Sequence, residues 1–349
     1  MTDRLLLIKT SSLGDLLHTL PAVTDLRRAR PDLQLSWVVE EGLAEVVAWH
    51  PGVDRIIPVA LRRWRRAPWR AWRDGELRAL LSRLRGERFT WIVDAQGLVK
   101  SAILSRLARG RRFGPHRTWV RERWALPLYD QTVAVPGEHH VVARLRRLLA
   151  TAVGYPLPST PPDFGIDHQK WPSLPPPPSP YVMFLHGTAW SSKVWPEVYW
   201  LELARRIRAA TSLHILLPWG NDPERQRAER LATACGDGVQ VLPPLQLGVL
   251  ASYMLGASAV VGLDSGLAHL AGAMDVPCVT LFGATDPAYS GVARSRQTLL
   301  AADYPCAPCM RRVCHPPPGP HPCHPPCVVT LPPDRVWEAL QARIEWPPP

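Results

Sequence analysis

Short apolar runs alternate with longer amphipathic stretches in the N-terminal part of the chain. The apolar runs predict strands at residues 5–8, 35–39, 55–59 and 90–94. The amphipathic stretches predict helices at residues 16–28, 42–49, 76–84, 98–107 and 139–150. Strands that alternate with helices form parallel sheets that are covered on both faces. We therefore expect an α/β domain over residues 1–155.

A proline-dense stretch then interrupts the alternation, since it cannot form a helix or an interior strand. We interpret residues 156–180 as a linker. After it the pattern restarts, with strands predicted at 181–185, 213–217, 239–242, 259–262 and 278–282. Helices are predicted at 197–209, 224–234, 247–255, 266–273 and, within a C-terminal segment of residues 331–349, at 334–344. The expected architecture is two Rossmann-like domains, 1–155 and 181–330, with a ligand held in the cleft between them.

The composition indicates a protein with two cores that binds an anionic partner. At 349 residues the chain is long for one domain, and its formal charge of +11 suits phosphate, nucleic acid or acidic lipid. The charge rests on arginine, since the only lysines are Lys9, Lys100, Lys170 and Lys193. We find no apolar run of membrane-spanning length and no secretory signal. We therefore expect a cytoplasmic protein whose 7 cysteines are thiols or metal ligands rather than disulfides.

The loop after the first predicted strand, residues 9–15, is a candidate ligand site. It lacks the spaced glycines of a dinucleotide fingerprint and the Lys-Ser/Thr ending of a P-loop. It offers one carboxylate instead, Asp15, at a point where a helix N-terminus keeps an acid ionised, as a general base requires. Asp15 also fits a simple helix-capping role. The local sequence leaves both interpretations open.

Three loops of the C-terminal half are expected at the carboxyl ends of parallel strands, on the same edge of a sheet. They are residues 186–193, 219–224 and 264–269. Thr188 and Lys193 of the first loop suit a phosphate, and Glu224 of the second could accept hydrogen bonds from a ribose diol. Gly266 of the third opens a helix whose free N–H groups form an anion site. Each loop alone also fits an ordinary cap or a buried histidine, but together with a lone lysine they predict a bound diphosphate.

Two features of the sequence concern metal ions. No aspartate lies two positions from another, so the metal-binding Asp-x-Asp clamp of many nucleotide-sugar enzymes is missing. A bound diphosphate would have to be neutralised by Lys193 and the helix terminus rather than by magnesium, and we expect no cofactor. A zinc site is compatible with the spacing of Cys306, Cys309, Cys314 and Cys323, and further possible ligands are Cys327, His315, His321 and His324. The prolines and the fifth cysteine blur this pattern, so a metal-free loop is the favoured interpretation.

Residues 62–73 carry a dense positive charge interleaved with the three tryptophans Trp64, Trp69 and Trp72. This combination suits nucleic acid, or a phosphorylated glycolipid at a membrane surface. A solvated basic helix face would account for the charge, but it explains exposed tryptophans less well.

Several motifs resemble glycosyltransferase family nine, the bacterial lipopolysaccharide heptosyltransferases. They are residues 9–21 (KTSSLGDLLHTLP), 37–42 (WVVEEG), 62–65 (RRWR), 94–101 (DAQGLVKS), 217–220 (LPWG) and 264–270 (DSGLAHL). Within the family they are most similar to the branch that adds the first heptose, and the likeness covers nearly the whole chain. It implies the GT-B fold, in which two Rossmann-like domains face each other across the site.

The resemblance also implies the reaction. The donor would be ADP-L-glycero-D-manno-heptose and the acceptor the inner Kdo sugar of Kdo-lipid A. Transfer would invert the anomeric carbon in a single displacement without a metal ion. A protein with this acceptor would work at the cytoplasmic face of the inner membrane, in peripheral contact with anionic lipid and without a nucleic-acid partner.

Matching positions assign roles by resemblance. Asp15 corresponds to the catalytic base, and Lys193 to the lysine that stabilises the departing ADP. Further donor contacts would be Thr188 (phosphate), Glu224 (ribose), Asp264 (heptose), Ser265, Gly266 and His269 (diphosphate), and Ala189 and Leu245 (nucleotide). The acceptor's anionic groups would meet Arg62, Arg63, Arg66 and Arg121.

Three alternatives remain at this point. A related transferase could act on a later core acceptor, since the cysteine-rich segment, residues 304–327, differs from the best-known members of the first-heptose branch. A non-enzymatic nucleic-acid binder would use the basic segment and leave Asp15 without a role. A sugar-nucleotide epimerase or a phosphorylase shares the two-domain plan, but neither has a signature of its own here.

Overall fold

The computed structural model describes residues 2–172, 180–292, 294–315 and 325–343. These residues form two compact units, Met1–Gln169 and Lys170–Pro349. The four consecutive prolines at 175–178, which the linker prediction used, lie outside the described residues.

The first unit contains a six-stranded sheet in which every described strand pair is parallel. The strands are β1 (Arg4–Ile8), β2 (Gln34–Glu40), β3 (Arg55–Val59), β4 (Arg88–Asp94), β5 (Arg109–Pro115) and β6 (Gln131–Val133). Their order, β3-β2-β1-β4-β5-β6, is that of a Rossmann sheet, and it reverses direction between β1 and β4. The four predicted strands are confirmed. The sequence pattern missed β5 and β6, because arginines occupy much of β5 and β6 is a three-residue edge strand.

Helices surround this sheet. They are α1 (Leu13–Leu17), α2 (Leu20–Ala29), α3 (Ala44–Ala48), α4 (Leu61–Arg66), α5 (Pro68–Arg73), α6 (Glu76–Arg85), α7 (Val99–Leu107) and α8 (Val141–Val153). Short 3₁₀ turns lie at Glu41–Leu43, Arg123–Leu128 and His168–Lys170. The prediction of one helix over 16–28 was wrong. A turn at His18 and Thr19 separates α1 from α2, and Pro21 lies at the start of α2, where its missing N–H is tolerated.

An apolar sheet and an ion pair between two buried side chains help to hold the first unit together. All four residues from Leu5 to Ile8 are fully buried, as expected for a central parallel strand. On one side of the sheet, Arg146 of α8 contacts the carboxylate of Asp25 in α2, with a shortest nitrogen–oxygen distance of 2.6 Å. Both side chains are buried, so this pair fixes the two helices to each other.

The second unit repeats the same plan. Its strands are β7 (Tyr181–Leu185), β8 (His214–Leu217), β9 (Val239–Val241), β10 (Ala259–Leu263), β11 (Cys278–Phe282) and β12 (Gln297–Ala301). They pair in parallel in the order β12-β11-β10-β7-β8-β9, which is again the Rossmann order. The five predicted strands are confirmed, whereas β12 was not predicted.

The helices of this unit are α9 (Glu197–Ala210), α10 (Asp222–Cys235), α11 (Leu247–Gly256), α12 (Gly266–Ala273), α13 (Pro287–Ser290) and α14 (Pro333–Gln341). Two 3₁₀ turns lie at Ser191–Lys193 and Pro326–Thr330. α14 packs into the core of the unit through Val336 and Leu340. Nearby, the indole N–H of Trp195 donates to the carbonyl of Leu331 over 2.9 Å. The last residue of the helix predicted at 334–344 lies outside the described residues.

Candidate active site

Asp15 lies just after β1, next to the point where the first sheet reverses direction. Ligands of open α/β sheets bind at such points, beyond the carboxyl ends of the strands. Asp15 occupies the third position of α1, and its Oδ2 accepts hydrogen bonds from the backbone N–H and the hydroxyl of Ser12, both over 3.0 Å. These contacts confirm the capping interpretation for one of the two carboxylate oxygens.

The other oxygen, Oδ1, faces two cations. It lies 2.6 Å from a guanidinium nitrogen of Arg121 and 3.4 Å from the Nζ of Lys9. Burial acts to raise the pKa of Asp15, but the charges of Lys9 and Arg121 outweigh it and hold the pKa below its ordinary value. Asp15 is therefore ionised at neutral pH. Capping and cation binding use different oxygens of one side chain, so the two interpretations of the sequence are compatible.

Lys9 is a site residue that sequence reasoning missed. It is 2% exposed, and its Nζ donates to the carbonyl of Ala95 over 3.0 Å. Burial lowers the pKa of Lys9, and the charge of Asp15 acts in the opposite direction. The available signal was the scarcity of lysine, which was applied only to Lys193.

The segment after β4 makes hydrogen bonds with Lys9 and with its neighbour Thr10. The backbone N–H and the hydroxyl of Thr10 both donate to the side-chain oxygen of Gln96 over 2.7 Å. The buried carboxyl group of Asp94 accepts hydrogen bonds from the hydroxyls of Tyr129 and Ser101. Burial raises the pKa of Asp94. This network joins β1 and β4 at the point where the Lys9–Asp15 pair lies.

In the second unit, Asp264 is the centre of the candidate donor site. It follows β10 and is 3% exposed. Its carboxylate contacts the Nζ of Lys193 at 2.5 Å, the Nε2 of His269 at 3.0 Å and the hydroxyl of Thr285. Burial acts to raise the pKa of Asp264, but His269 and Lys193 hold it below the ordinary value. Thr285 was not predicted, because it lies in a fourth loop, after β11.

The three predicted loops lie at one edge of the second sheet. They follow β7, β8 and β10, which are neighbours in the sheet. Glu224 also joins two of these loops: its carboxylate accepts from the backbone N–H of Gly220 over 2.8 Å and lies against Gly187, where a Cβ would come within 2.5 Å of it. A side chain at position 187 would therefore displace the Glu224 carboxylate from its present position.

Other predicted donor residues have the following positions. Ser265 caps α12, and Gly266 is the first residue of that helix. Thr188 and Ala189 lie in the loop after β7, and Leu245 lies in the loop after β9.

The cysteine-rich segment contacts the loop after β7, residues 186–193, through its backbone. The side-chain hydroxyls of Ser191 and Ser192 donate to the carbonyls of Arg312 and Arg311, respectively. The Nζ of the next residue, Lys193, lies 4.3 Å from the ring centre of Trp190. The segment therefore braces the turn that carries Lys193.

For the zinc alternative, Cys306, Cys309, Cys314 and Cys327 are free thiols. Cys323, His321 and His324 lie outside the described residues. Among the residues that the structure does describe, no three His, Cys, Asp or Glu side chains are grouped so that they could hold a metal ion.

The basic segment consists of α4 and α5. Arg62 and Arg66 are exposed, whereas Arg63 binds the carboxylates of Glu41 and Glu76. Trp64 turns inward and donates to Glu76 over 2.7 Å.

The other two tryptophans of this segment, Trp69 and Trp72, are 74% and 46% exposed. On another element of the first unit, Trp124 is 84% exposed, and it was not singled out from the sequence. No helix in the described ranges combines the length and the apolarity needed to cross a bilayer.

Comparison with known proteins gives a consistent result. The model of glycosyltransferase family 9 (heptosyltransferase) matches residues 77–318. Lipopolysaccharide heptosyltransferase 1 of Pseudomonas aeruginosa is 47% identical over 312 residues, which cover 89% of this chain and 87% of that protein. The structure of Escherichia coli heptosyltransferase WaaC with ADP has a TM-score of 0.83 at 37% identity and covers 97% of this chain and 99% of that one. WaaC with ADP-2-deoxy-2-fluoro heptose gives a TM-score of 0.79 at 36% identity, with coverage of 97% and 99%.

The fold and the family expected from the sequence are both confirmed. The two parallel six-stranded sheets are those of a GT-B-type glycosyltransferase. Since the family model covers most of the chain and the relatives match nearly all of it, the chain belongs to glycosyltransferase family 9, the heptosyltransferases.

Proposed function

We propose that this enzyme transfers L-glycero-D-manno-heptose from ADP-heptose to the inner Kdo of Kdo-lipid A, with Asp15 as the general base. The observation that carries the proposal is the ionised carboxylate of Asp15 between Lys9 and Arg121, at the ligand-binding edge of the first sheet. The identity of 47% to a lipopolysaccharide heptosyltransferase 1 supports the choice of the first heptose over a later one.

The proposed reaction is a single displacement. Asp15 takes the proton of the acceptor hydroxyl as its oxygen attacks the anomeric carbon of the heptose. The new carbon–oxygen bond forms while the bond from that carbon to the diphosphate breaks, and the electron pair leaves with ADP. Attack from the face opposite the leaving group inverts the anomeric carbon.

The second unit is the proposed donor site. Lys193 and the N-terminus of α12 would neutralise the diphosphate of the leaving ADP, with Thr188, Ser265 and His269 beside it. Further proposed contacts are Glu224 with the ribose, Asp264 with the heptose, and Ala189 and Leu245 with the nucleotide. Asp264 holds the charge of Lys193 in place until the diphosphate arrives.

The first unit is the proposed acceptor site. Arg62 and Arg66 are exposed and can meet anionic groups of the acceptor, whereas Arg63 is already held by two carboxylates and would act mainly by positioning α4. We also propose peripheral contact with the anionic cytoplasmic face of the inner membrane, through the exposed Trp69 and Trp72 and the arginines around them.

The acceptor is tested by incubating the purified enzyme and ADP-heptose with Kdo-lipid A, or with the same lipid that already carries one heptose. We expect transfer to Kdo-lipid A, detected as the mass of one added heptose. Transfer only to the heptosylated lipid would establish the later-acceptor alternative. Transfer to neither acceptor would reject the proposed function.

Asp15→Asn tests the general base. The amide keeps the shape of the side chain but cannot take a proton, so we expect kcat to fall about 1,000-fold, within the range typical of general-base catalysis. ADP affinity, measured by calorimetry, should stay within about twofold because the proposed donor contacts lie in the other unit. A parallel loss of ADP affinity would show that Asp15 does not act as a base alone.

Lys193→Met tests the leaving-group contact. A hydrogen bond to a charged group contributes about 1.5–3 kcal/mol, so we expect ADP affinity to fall roughly 10- to 100-fold, and kcat to fall as well. Lys170→Met is the matched control, since it removes the same charge from an exposed position. If the two variants bind ADP equally well, Lys193 does not belong to the donor site.

The membrane contact is tested with the double variant Trp69→Ser, Trp72→Ser and vesicles of anionic or zwitterionic lipid. Each lost apolar side chain removes about 1.5 kcal/mol or more of burial, so binding to anionic vesicles in a sedimentation assay should weaken at least about tenfold. Val198→Ser, which removes an apolar side chain that is 65% exposed in the other unit, should bind as the parent protein does. Undiminished binding of the double variant would remove these tryptophans from the proposed contact.

A further inference from the structure

Both carboxylate oxygens of the proposed base are engaged in the structure: Oδ2 accepts from Ser12, and Oδ1 faces Lys9 and Arg121. Because Lys9 and Arg121 both face Oδ1 of Asp15, the carboxylate has a pKa below its ordinary value. A carboxylate with such a pKa is a weak proton acceptor, and general-base catalysis is most efficient when the pKa of the base lies near the working pH. The Arg121 nitrogen at 2.6 Å and the Lys9 nitrogen at 3.4 Å also occupy the space around Oδ1, so one of the two cations has to withdraw before an acceptor hydroxyl can reach that oxygen.

The two cations differ in their freedom to move. The Lys9 side chain is 3% exposed and is also bonded to the carbonyl of Ala95 over 3.0 Å, so it is fixed. The Arg121 side chain is 45% exposed. In the described part of the chain, the ion pair with Asp15 is the only one that Arg121 makes. Arg121 is thus the cation that can exchange its partner.

An anionic sugar acid is a suitable partner for this exchange. A Kdo residue carries a carboxylate, which has the same charge and the same planar geometry as the side chain of Asp15. A guanidinium group binds carboxylates through paired N–H groups, so Arg121 can pass from one carboxylate to another without losing its charge or its hydrogen bonds.

We propose that Arg121 is a guard on the base: it blocks Oδ1 of Asp15 until the acceptor's own carboxylate binds Arg121 and draws it away. Oδ1 is then free to take the hydroxyl proton only when an anionic acceptor is bound. This inference rests on the proposed function and adds to it the basis of acceptor selection. Only one proton moves, from the acceptor hydroxyl to Asp15. The glycosyl transfer itself is unchanged.

The groups around Asp15 come from three elements. Lys9 faces it from the end of β1, Ser12 and His18 from the start and end of α1, and Arg121 from the segment before the 3₁₀ turn at Arg123–Leu128. When Arg121 leaves, Lys9, Ser12 and His18 remain. The pKa of Asp15 then rises toward its ordinary value, so the acid limb of the kcat profile moves to higher pH.

The test crosses two acceptors with four enzymes. The acceptors are Kdo-lipid A and the same lipid with its Kdo carboxyl groups converted to methyl esters, which retain the nucleophilic hydroxyl. The enzymes are the parent, Arg121→Ala, Arg121→Lys and Arg117→Ala. Arg117 is the matched control because it is an exposed arginine of the same segment. Circular dichroism and ADP affinity establish that each variant is folded.

For the parent enzyme we expect the ester to lower kcat at saturating acceptor by roughly 10- to 100-fold, part of the typical contribution of a general base. Arg117→Ala should show the same ratio between the two acceptors, and Arg121→Lys should retain most of it. Arg121→Ala should have a higher KM for the natural acceptor but nearly equal kcat values for both. Its kcat with the ester should exceed that of the parent enzyme.

The kcat of Arg121→Ala with the ester, compared with that of the parent enzyme, distinguishes a guard from a residue that only binds the acceptor. If Arg121 only binds the acceptor, Arg121→Ala is no faster than the parent enzyme with the ester, and the guard is disproved. Equal kcat values of the parent enzyme for the two acceptors would also disprove it. Failure of the parent enzyme to use Kdo-lipid A at all would reject the proposed function instead, so the two failures are distinguishable.

Discussion

The ion pair between Asp15 and the buried Lys9 is the constraint on which the first unit's site depends. An ammonium group with 3% of its side chain exposed needs a charged partner, and removing one partner from a buried pair costs about 3–5 kcal/mol. Asp15 is the carboxylate that meets this need, so its ionisation is built into the fold. The capping contacts with Ser12 then fix its orientation, since they bind one oxygen and turn the other toward the cations.

The second unit also has an ion pair between a lysine and a buried aspartate, at the corresponding position of its own sheet. There the buried Asp264 meets Lys193, again where the strand order reverses. The difference lies in which member of the pair is available. Lys9 is fixed by the Ala95 carbonyl, whereas Lys193 lies on a short turn. One topology thus places the proposed base beside a fixed cation in one unit, and the proposed diphosphate ligand on a short turn in the other.

The sequence predicted the central strands and the loops that follow them, because buried parallel strands are nearly continuous apolar runs. It missed β5 and β12, whose partly exposed residues do not form such a run. Asp15 and Arg121 are 106 positions apart in the sequence, and only the folded sheet brings the two segments together, so the sequence pattern could not show their contact. Thr285 was missed for the same reason. The sequence could not decide between a capping role and a general-base role for Asp15, because the two roles do not exclude each other. Oδ2 makes the capping contacts with Ser12, and Oδ1 faces Lys9 and Arg121.

The cysteine-rich segment supports the turn that carries Lys193 through backbone atoms rather than side chains. In its contacts with the loop after β7, the hydroxyl of Ser191 donates to the carbonyl of Arg312, and the hydroxyl of Ser192 donates to the carbonyl of Arg311. Every residue type has a backbone carbonyl, so these contacts constrain the path of the segment and not its side chains. Cysteines and prolines can therefore occupy it without disturbing the turn that presents Lys193. The unusual composition of the segment accordingly bears on its own packing, and the contacts that hold the Ser191–Lys193 turn do not depend on it.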